Sequence, residues 1–338
     1  MVEDTLSVPE FNLPASSFVK DESRELIDKR KKEVQEKFAD VSSSFDWRNI
    51  PVNSLAETRQ RLINLSKSLP VYSAMQSRYP TVMTEETIEG VYIEVFTPAG
   101  GVATKNNDKV LINLHGGGFV GGERSGSHIE SIPISVAGEI KVISVDYRMA
   151  PEYQFPAASD DVLVIYKHLL KHYKPENIGI YGSSAGALLT AQATARIQSE
   201  GLAPPGAVAM LAAGAFYWME GDSSHIASAI SGVPGQELDD DLYFKGVDPN
   251  DSLVFPGRET ETMANFPPSL MIASTRDCVL SSVVNTHREL VKQGVVADLH
   301  IWDGLDHMFH LDGEMSESRE VYDVVVRFFE THLSKKQI

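Results

Sequence analysis

The chain has 338 residues, of which 42% are hydrophobic, so it is long enough for one large domain with an accessory element. Its formal net charge of −17 results from 47 acidic and 30 basic residues. Such a charge repels nucleic acid and anionic lipid headgroups, so neither is expected as a partner. The single cysteine, Cys278, excludes an internal disulfide.

The first 80 residues are predicted to be helical. Residues 1–4 lack a basic and apolar signal region, and no run of the chain reaches transmembrane length, which predicts a cytoplasmic protein without a membrane span. Helical periodicity with many charges covers 23–38 and 56–69, and no strand pattern intervenes.

From about residue 91 onward, strand-like and helical patterns alternate. Seven apolar runs predict strands, at 91–97, 110–114, 142–146, 178–181, 208–213, 270–274 and 297–302. Helical patterns separate most of them, notably 159–173, 281–293 and 318–333. This alternation predicts an α/β fold with a mostly parallel central sheet and helices on both faces. The core would comprise 81–214 and 267–338, with an insertion at 215–266.

A glycine run follows the second predicted strand, in His115-Gly116-Gly117-Gly118-Phe119. Glycines in that position let backbone N–H groups face a cleft and hold an anion. Phosphate-binding loops use the same device, but the chain has neither a Gly-x-x-x-x-Gly-Lys-Ser/Thr motif nor a Gly-x-Gly-x-x-Gly opening a helix in the first βα unit. The run therefore predicts a loop that binds an oxyanion.

A second motif, Gly182-Ser183-Ser184-Ala185-Gly186, lies between a predicted strand and a helical stretch of small residues. Glycines at both flanks allow a sharp strand-to-helix turn that exposes the serine hydroxyl. A Gly/Ser-rich turn without chemistry is the alternative, and the flanking strand and helix favour the nucleophile elbow. Ser184 is the candidate nucleophile for acyl transfer.

A serine nucleophile needs a base, and the base needs an orienting carboxylate. In hydrolases with this elbow, the carboxylate and then the histidine follow the serine along the chain. Asp277 follows the sixth predicted strand and His307 follows the seventh, so these two residues are the candidates. His310, in the same loop as His307, is the alternative base.

Together these residues resemble the bacterial hormone-sensitive-lipase-like esterases, a branch of the α/β-hydrolases. Besides the glycine run and the elbow, the resemblance includes Asp146-Tyr147-Arg148-Met149-Ala150-Pro151-Glu152, Phe155-Pro156-Ala157-Ala158, Pro267-Pro268 and His307-x-Phe309. It implies the α/β-hydrolase fold, with 1–80 and 215–266 forming a helical cap. The chain departs from the family at Ser183 and Ala187, where Asp and Gly are usual.

The resemblance also implies roles for individual residues. Ser184 would be the nucleophile, His307 the general base and Asp277 its orienting group. The oxyanion hole would consist of three backbone N–H groups, those of Gly116, Gly117 and Ala185. His115 would shape the glycine loop, and the segment 146–152 would brace the region beneath the active site. Cap residues that would line the substrate pocket are Tyr217, Trp218, Met219, Leu242, Tyr243 and Phe244.

The predicted function is that of a serine carboxylesterase that hydrolyses short- to medium-chain esters through an acyl-enzyme on Ser184. The substrate would be a small-molecule ester, and neither a cofactor nor a metal is expected. A lactone hydrolase and an amidase or peptidase are alternatives on the same fold. A non-catalytic receptor, similar to the plant gibberellin receptors, is disfavoured because such proteins lose the catalytic histidine. A homodimer is compatible with the sequence.

Overall fold

An eight-stranded sheet forms the centre of the computed structural model, which describes residues 12–38, 46–231 and 237–334. The strands are β1 (Thr81–Ile88), β2 (Val91–Pro98), β3 (Val110–Leu114), β4 (Val142–Asp146), β5 (Ile178–Ser183), β6 (Ala207–Leu211), β7 (Ser269–Ser274) and β8 (Ala297–Trp302). Their order in the sheet is β1-β2-β4-β3-β5-β6-β7-β8. Strand β2 is antiparallel to both of its neighbours, and all other pairs are parallel. The predicted α/β fold with a mostly parallel sheet is confirmed.

Ten α-helices accompany the sheet in the described part of the chain. They are α1 (Asp21–Lys37), α2 (Leu55–Lys67), α3 (Pro70–Arg78), α4 (Gly126–Gly138), α5 (Ala157–Leu169), α6 (Ala185–Ser199), α7 (Asp222–Ser231), α8 (Thr260–Ala264), α9 (Leu280–Lys292) and α10 (Ser316–His332). Five of the six helical patterns read from the sequence match a helix to within about four residues at each end. The sixth, behind the elbow, marks the start of α6, which continues to Ser199.

The two larger of three apolar clusters lie on opposite faces of the sheet. Val110, Ile112 and Leu114 of β3 pack with residues of α5, α6 and α9. Leu111 between them points to the opposite face, where it packs with residues of α3, α4 and α10. Because successive side chains of a strand alternate between faces, a strand that is apolar throughout is buried on both sides. All five residues of β3 are indeed buried.

Strand β1 was not predicted. Six of its eight residues are exposed, and its sequence, Thr-Val-Met-Thr-Glu-Glu-Thr-Ile, places two adjacent glutamates in the middle. It lies at the edge of the sheet, where a strand needs no apolar face and charged side chains discourage pairing with another chain. Because β1 lies at the edge, its sequence lacks the apolar pattern by which the other strands were predicted.

Helix α4 was also missed. Its buried residues include Ser127, His128, Glu130 and Ser131, and Pro133 lies inside the helix. A helix that buries polar side chains shows no continuous apolar stripe, so periodicity cannot reveal it. Ser127 and His128 form hydrogen bonds to Glu94, and Glu130 forms hydrogen bonds to Asn113 and Gly116, so their partners are distant in sequence.

The two segments predicted as a cap differ from the core in having no strands within their described residues. The N-terminal segment contributes α1, α2 and α3, and the insertion contributes α7, α8 and short 3₁₀ turns. That they act together as a cap stays a prediction, as does the cytoplasmic location. Among the described helices, none combines the length and the apolar composition needed to cross a membrane.

Candidate active site

The candidate residues lie in four loops at the carboxyl edge of the sheet. The glycine loop follows β3, Ser184 follows β5, Asp277 follows β7 and His307 follows β8. Because these strands are parallel, their carboxyl ends lie at the same edge, and loops distant in sequence meet there. Sheet topology thus accounts for the convergence of residues separated by more than 100 positions, such as Ser184 and His307.

The elbow is a strained turn. Ser184 has φ 54° and ψ −119°, a region that non-glycine residues rarely occupy, and its N–H donates to the Leu211 carbonyl at 2.7 Å. A Cβ on Gly186 would overlap the carbonyl oxygen of Leu114, and one on Gly182 would overlap backbone atoms of Gly186. Both flanking glycines are therefore required by the close approach of the chain. The strain lifts the serine hydroxyl away from the sheet.

A hydrogen-bonded chain connects the three predicted residues. His307 Nε2 lies 2.8 Å from Ser184 Oγ, and His307 Nδ1 lies 2.7 Å from Asp277 Oδ1. The Asp277 side chain is 1% exposed and also accepts the Val279 N–H at 3.1 Å. A buried carboxylate at Nδ1 holds the proton on that nitrogen, so Nε2 is left as an acceptor for the serine proton.

The alternative base, His310, does not contact Ser184. Its Nε2 lies 3.0 Å from Ser183 Oγ, one residue before the nucleophile. Burial, together with the neighbouring His307, lowers the pKa of His310 to about 3, so its imidazole is neutral at physiological pH. The geometry favours His307 as the base.

One predicted oxyanion donor does not fit. The Gly116 N–H already donates to the carboxylate of Glu130 at 2.8 Å, so Gly116 is not available to a substrate oxygen. In the described residues, the N–H groups of Gly117, Gly118 and Ala185 show no protein acceptor. Gly118 replaces Gly116 in the candidate oxyanion hole. The sequence already contained Gly118 as the third glycine of the run, but residue spacing does not show which backbone N–H groups face the substrate.

The glycine loop is held from beneath by the segment 146–152. Tyr147 stacks on the buried His115 ring at 4.3 Å and donates its hydroxyl proton to the His115 carbonyl at 2.6 Å. The Ala150 N–H donates to the Phe119 carbonyl at 2.8 Å. Burial lowers the pKa of His115, which keeps it neutral and suits a structural role.

Helix α2 is tied to the same loop through Arg59. Its guanidinium donates to the carbonyl oxygens of Val120 and Ala150, the latter at 2.7 Å, and pairs with Glu152 at 2.7 Å. It also lies over the ring of Trp47 at 4.8 Å. The N-terminal segment therefore contacts the glycine loop directly.

Two of the predicted pocket residues do not line a cavity. Tyr243 and Phe244 are 0% exposed and pack around Phe119, with the Tyr243 ring stacked on Phe119 at 4.1 Å. These side chains fill the space beside the glycine loop as core residues. Trp218 is 9% exposed and Met219 is partly exposed, so both remain candidates. Tyr217 is buried, and Leu242 is partly buried against the core.

The turn that carries Tyr243 and Phe244 supports a prediction about pH. Asp241 Oδ1 accepts the N–H groups of Tyr243 and Phe244 at 2.9 and 3.3 Å, and burial raises the pKa of this carboxyl to about 6. Its contribution to stability is present below its unfolded pKa, near 3.9, and is lost as pH rises through about 6. Asp241→Asn keeps the accepting oxygen and removes the charge. We expect it to gain about 1–3 kcal/mol relative to wild type between pH 4 and pH 8.

Urea unfolding of both proteins across this pH range measures the difference. Asp239→Asn, a change at an exposed position in the preceding turn, is the matched control and should show a constant difference from wild type. A pH-independent difference between Asp241→Asn and wild type would contradict the prediction.

Among the residues that the structure describes, one group of side chains could ligate a metal. The ligating atoms of Asp277, Cys278 and His307 lie within 4.8 Å of one another. However, Asp277 and His307 are hydrogen-bonded to each other, and burial raises the pKa of the Cys278 thiol to about 11. A thiol that resists ionisation is a poor ligand, so the arrangement fits an orienting pair better than a metal site.

Comparison with known proteins agrees with this geometry. A family model described as the α/β-hydrolase fold matches residues 111–311. An acetyl-hydrolase of Streptomyces hygroscopicus is 26% identical over 67% of this chain and 77% of its own length. Versiconal hemiacetal acetate esterase of Dothistroma septosporum is 23% identical over 70% of this chain and 76% of its own.

Solved structures resemble the chain over nearly its whole length. The crystal structure of an esterase named E25 superimposes with a TM-score of 0.82 and 30% identity, covering 98% of this chain and 100% of the other. An esterase from the bacterial hormone-sensitive lipase family has a TM-score of 0.76 at 23% identity, covering 94% of this chain and 100% of the other. The chain therefore belongs to the α/β-hydrolase family, and its resemblance to the hormone-sensitive-lipase-like esterases is confirmed.

Proposed function

We propose that the protein is a serine carboxylesterase that acts on short- to medium-chain esters through an acyl-enzyme on Ser184. The observation that carries this proposal is the hydrogen-bonded chain from Ser184 through His307 to the buried Asp277. The neighbouring loop presents backbone N–H groups without protein acceptors. A nucleophile, a base, an orienting carboxylate and oxyanion donors are the complete requirement for acyl transfer.

In the acylation step, Ser184 Oγ attacks the ester carbonyl carbon while His307 Nε2 takes the hydroxyl proton. The imidazolium that forms is stabilised by the Asp277 carboxylate 2.7 Å from Nδ1. Negative charge develops on the former carbonyl oxygen, which accepts hydrogen bonds from Gly117, Gly118 and Ala185. One such donor is typically worth about 2.7–4 kcal/mol of transition-state stabilisation.

Collapse of the tetrahedral intermediate expels the alcohol, whose oxygen takes the proton from His307 Nε2. Water then enters beside His307, which removes a proton from it as the water oxygen attacks the acyl carbon. Breakdown of the second intermediate returns the proton to Ser184 Oγ and releases the carboxylic acid. The same donors serve both intermediates, because the oxyanion forms at the same place.

Packing beside the glycine loop supports a preference for small acyl groups. Phe119 is fully buried, and its ring stacks on those of Tyr243 and Trp218 at 4.1 and 5.8 Å. We infer that this packed aromatic cluster limits the room for a long acyl chain beside the glycine loop. Two relatives are named as an acetyl-hydrolase and a versiconal hemiacetal acetate esterase, which agrees with this preference.

Steady-state hydrolysis of p-nitrophenyl acetate, butyrate, octanoate and palmitate tests the proposal. We expect kcat/KM to be highest for acetate or butyrate and to fall for palmitate, with Ser184→Ala as the background control. Matched p-nitroanilides, whose amide bond is harder to cleave, should be turned over far more slowly than the esters. No ester turnover above the Ser184→Ala background, with both proteins folded, would refute the esterase.

A further inference from the structure

A second carboxyl group lies behind the glycine loop and has no part in the proposed chemistry. Glu130 of α4 is 5% exposed, and its Oε1 accepts the Gly116 N–H at 2.8 Å. Its Oε2 accepts the side-chain N–H of Asn113 at 3.2 Å. Asn113 is in turn fixed by Ser144 of β4, whose hydroxyl donates to its Oδ1 at 3.0 Å. The carboxyl group is thus anchored to the sheet and holds the first residue after His115.

The polar network continues from Glu130 to the elbow and the histidine loop. Burial raises the pKa of the Glu130 carboxyl to about 7, and hydrogen bonding from Gly116, Asn113 and Ser183 acts in the opposite direction. Ser183 Oγ also lies 3.0 Å from His310 Nε2. The His310 carbonyl accepts the Tyr322 hydroxyl at 2.6 Å. This buried network therefore connects three of the four loops of the site, namely the glycine loop, the elbow and the loop that carries His307.

The backbone of Gly116 has little room to move. A Cβ added there would lie 2.8 Å from Cε of Met308 and 3.0 Å from the Ser183 carbonyl oxygen. Met308 directly follows His307, and Ser183 directly precedes Ser184. Gly116 is thus packed between the loops that carry Ser184 and His307, and its N–H is directed at Glu130.

We propose that Glu130 is a positioning residue of the oxyanion hole, which holds the Gly116 amide so that the Gly117 and Gly118 amides face the substrate. The inference rests on the proposed esterase function. Glu130 would not touch the substrate and would act through the orientation of the peptide groups. Misplacement of a catalytic group by about 1 Å can lower a rate about 100-fold, so a single anchoring hydrogen bond can matter.

The energetics favour a role beyond folding. Because burial raises the pKa of the Glu130 carboxyl, its ionised form lowers the stability of the fold at neutral pH. An apolar residue at the same position of α4 would carry no such cost. Proteins retain such costly groups chiefly at functional sites. The donors around Glu130 come from Asn113, Gly116 and Ser183, which flank the site.

Two substitutions test the proposal. Glu130→Ala removes the acceptor, and we expect kcat for p-nitrophenyl butyrate to fall about 10- to 100-fold with KM within about two-fold, because the oxyanion donors act mainly on the transition state. Glu130→Gln keeps an oxygen that can accept the Gly116 N–H, so its loss should be only about 3- to 10-fold. Rates are expressed per reactive Ser184, counted by titration with a p-nitrophenyl phosphonate.

The phosphonate also supplies a second readout. Its reaction with Ser184 places an anionic oxygen in the same hole, so the phosphonylation rate constant should fall in parallel with kcat. This rate does not depend on the natural reaction. Absence of ester turnover in wild type would therefore refute the esterase, while the phosphonylation rates would still decide the role of Glu130.

Glu94 provides the matched control. It is 4% exposed and hydrogen-bonded to His128 at 2.8 Å and to Ser127 at 3.1 Å, and neither of these partners belongs to the glycine loop. We expect Glu94→Gln to lose stability with kcat per site within about two-fold of wild type. Equal losses of kcat for Glu94→Gln and Glu130→Gln, or wild-type rates for the Glu130 variants, would overturn the proposal. If Glu130→Ala does not fold, Glu130→Gln against Glu94→Gln decides.

Discussion

Ser184→Ala is expected to lower kcat for p-nitrophenyl butyrate by about 10⁴- to 10⁶-fold without unfolding the protein. The hydroxyl oxygen is the only heavy atom removed. The elbow conformation, with φ 54°, is set by the surrounding backbone rather than by the side chain. The residual rate would reflect binding and the oxyanion donors. Circular dichroism and the unfolding midpoint should match those of wild type.

His307→Ala is expected to cost about as much as Ser184→Ala, and the double variant should be no slower than either single variant. The two residues form one hydrogen-bonded unit, so the loss of the first makes the second useless. His300→Ala, a change at an exposed histidine of β8, is the control and should keep kcat within about two-fold of wild type. Multiplicative losses in the double variant would show that the residues act independently.

The triad could be predicted because its chemistry depends on position along the chain. Ser184, Asp277 and His307 each follow an apolar strand, and parallel strands bring their carboxyl ends to one edge. Elbow glycines mark the turn itself. Sequence order left both His307 and His310, and His307 was preferred because it lies nearer the end of the preceding strand.

The oxyanion donors could not be predicted fully, because they depend on the direction of peptide groups. Gly116 was assigned as a donor, but its N–H points to Glu130. That partner lies in α4, whose buried polar residues gave no helical pattern. Because α4 was not predicted, the hydrogen bond from Gly116 to Glu130 could not be predicted either, and Gly116 was assigned to the oxyanion hole.

The prediction that Tyr243 and Phe244 line the substrate pocket was wrong for a different reason. Residue type indicates that Tyr243 and Phe244 prefer burial, but it does not say whether they face a cavity or other side chains. Their rings pack against Phe119, which lies more than 120 residues earlier in the chain, and this long-range contact buries them. Strand β1 shows the converse, since an exposed edge strand has too little burial to leave a pattern.

Gly186→Ala is expected to prevent folding or to lower the free energy of unfolding by more than about 4 kcal/mol. The added methyl group would overlap the Leu114 carbonyl oxygen and lie 2.7 Å from the carbonyl oxygen of His115. Both contacts are with backbone, at the end of β3 where the glycine loop begins, so no side chain can move to make room. Relief would require α6 to shift away from the centre of the sheet.

Gly126→Ala separates this steric effect from the general cost of replacing a glycine. Gly126 opens α4, and a Cβ there would meet no heavy atom within 4 Å. Alanine in a compatible conformation restricts the unfolded chain, so this variant should be unchanged or stabilised by up to about 1 kcal/mol. Urea unfolding of soluble protein, or the soluble yield where Gly186→Ala does not fold, compares the two. A Gly186→Ala protein as stable as Gly126→Ala would mean that the elbow has room for a methyl group, and the close approach of α6 to β3 would then not explain the glycine.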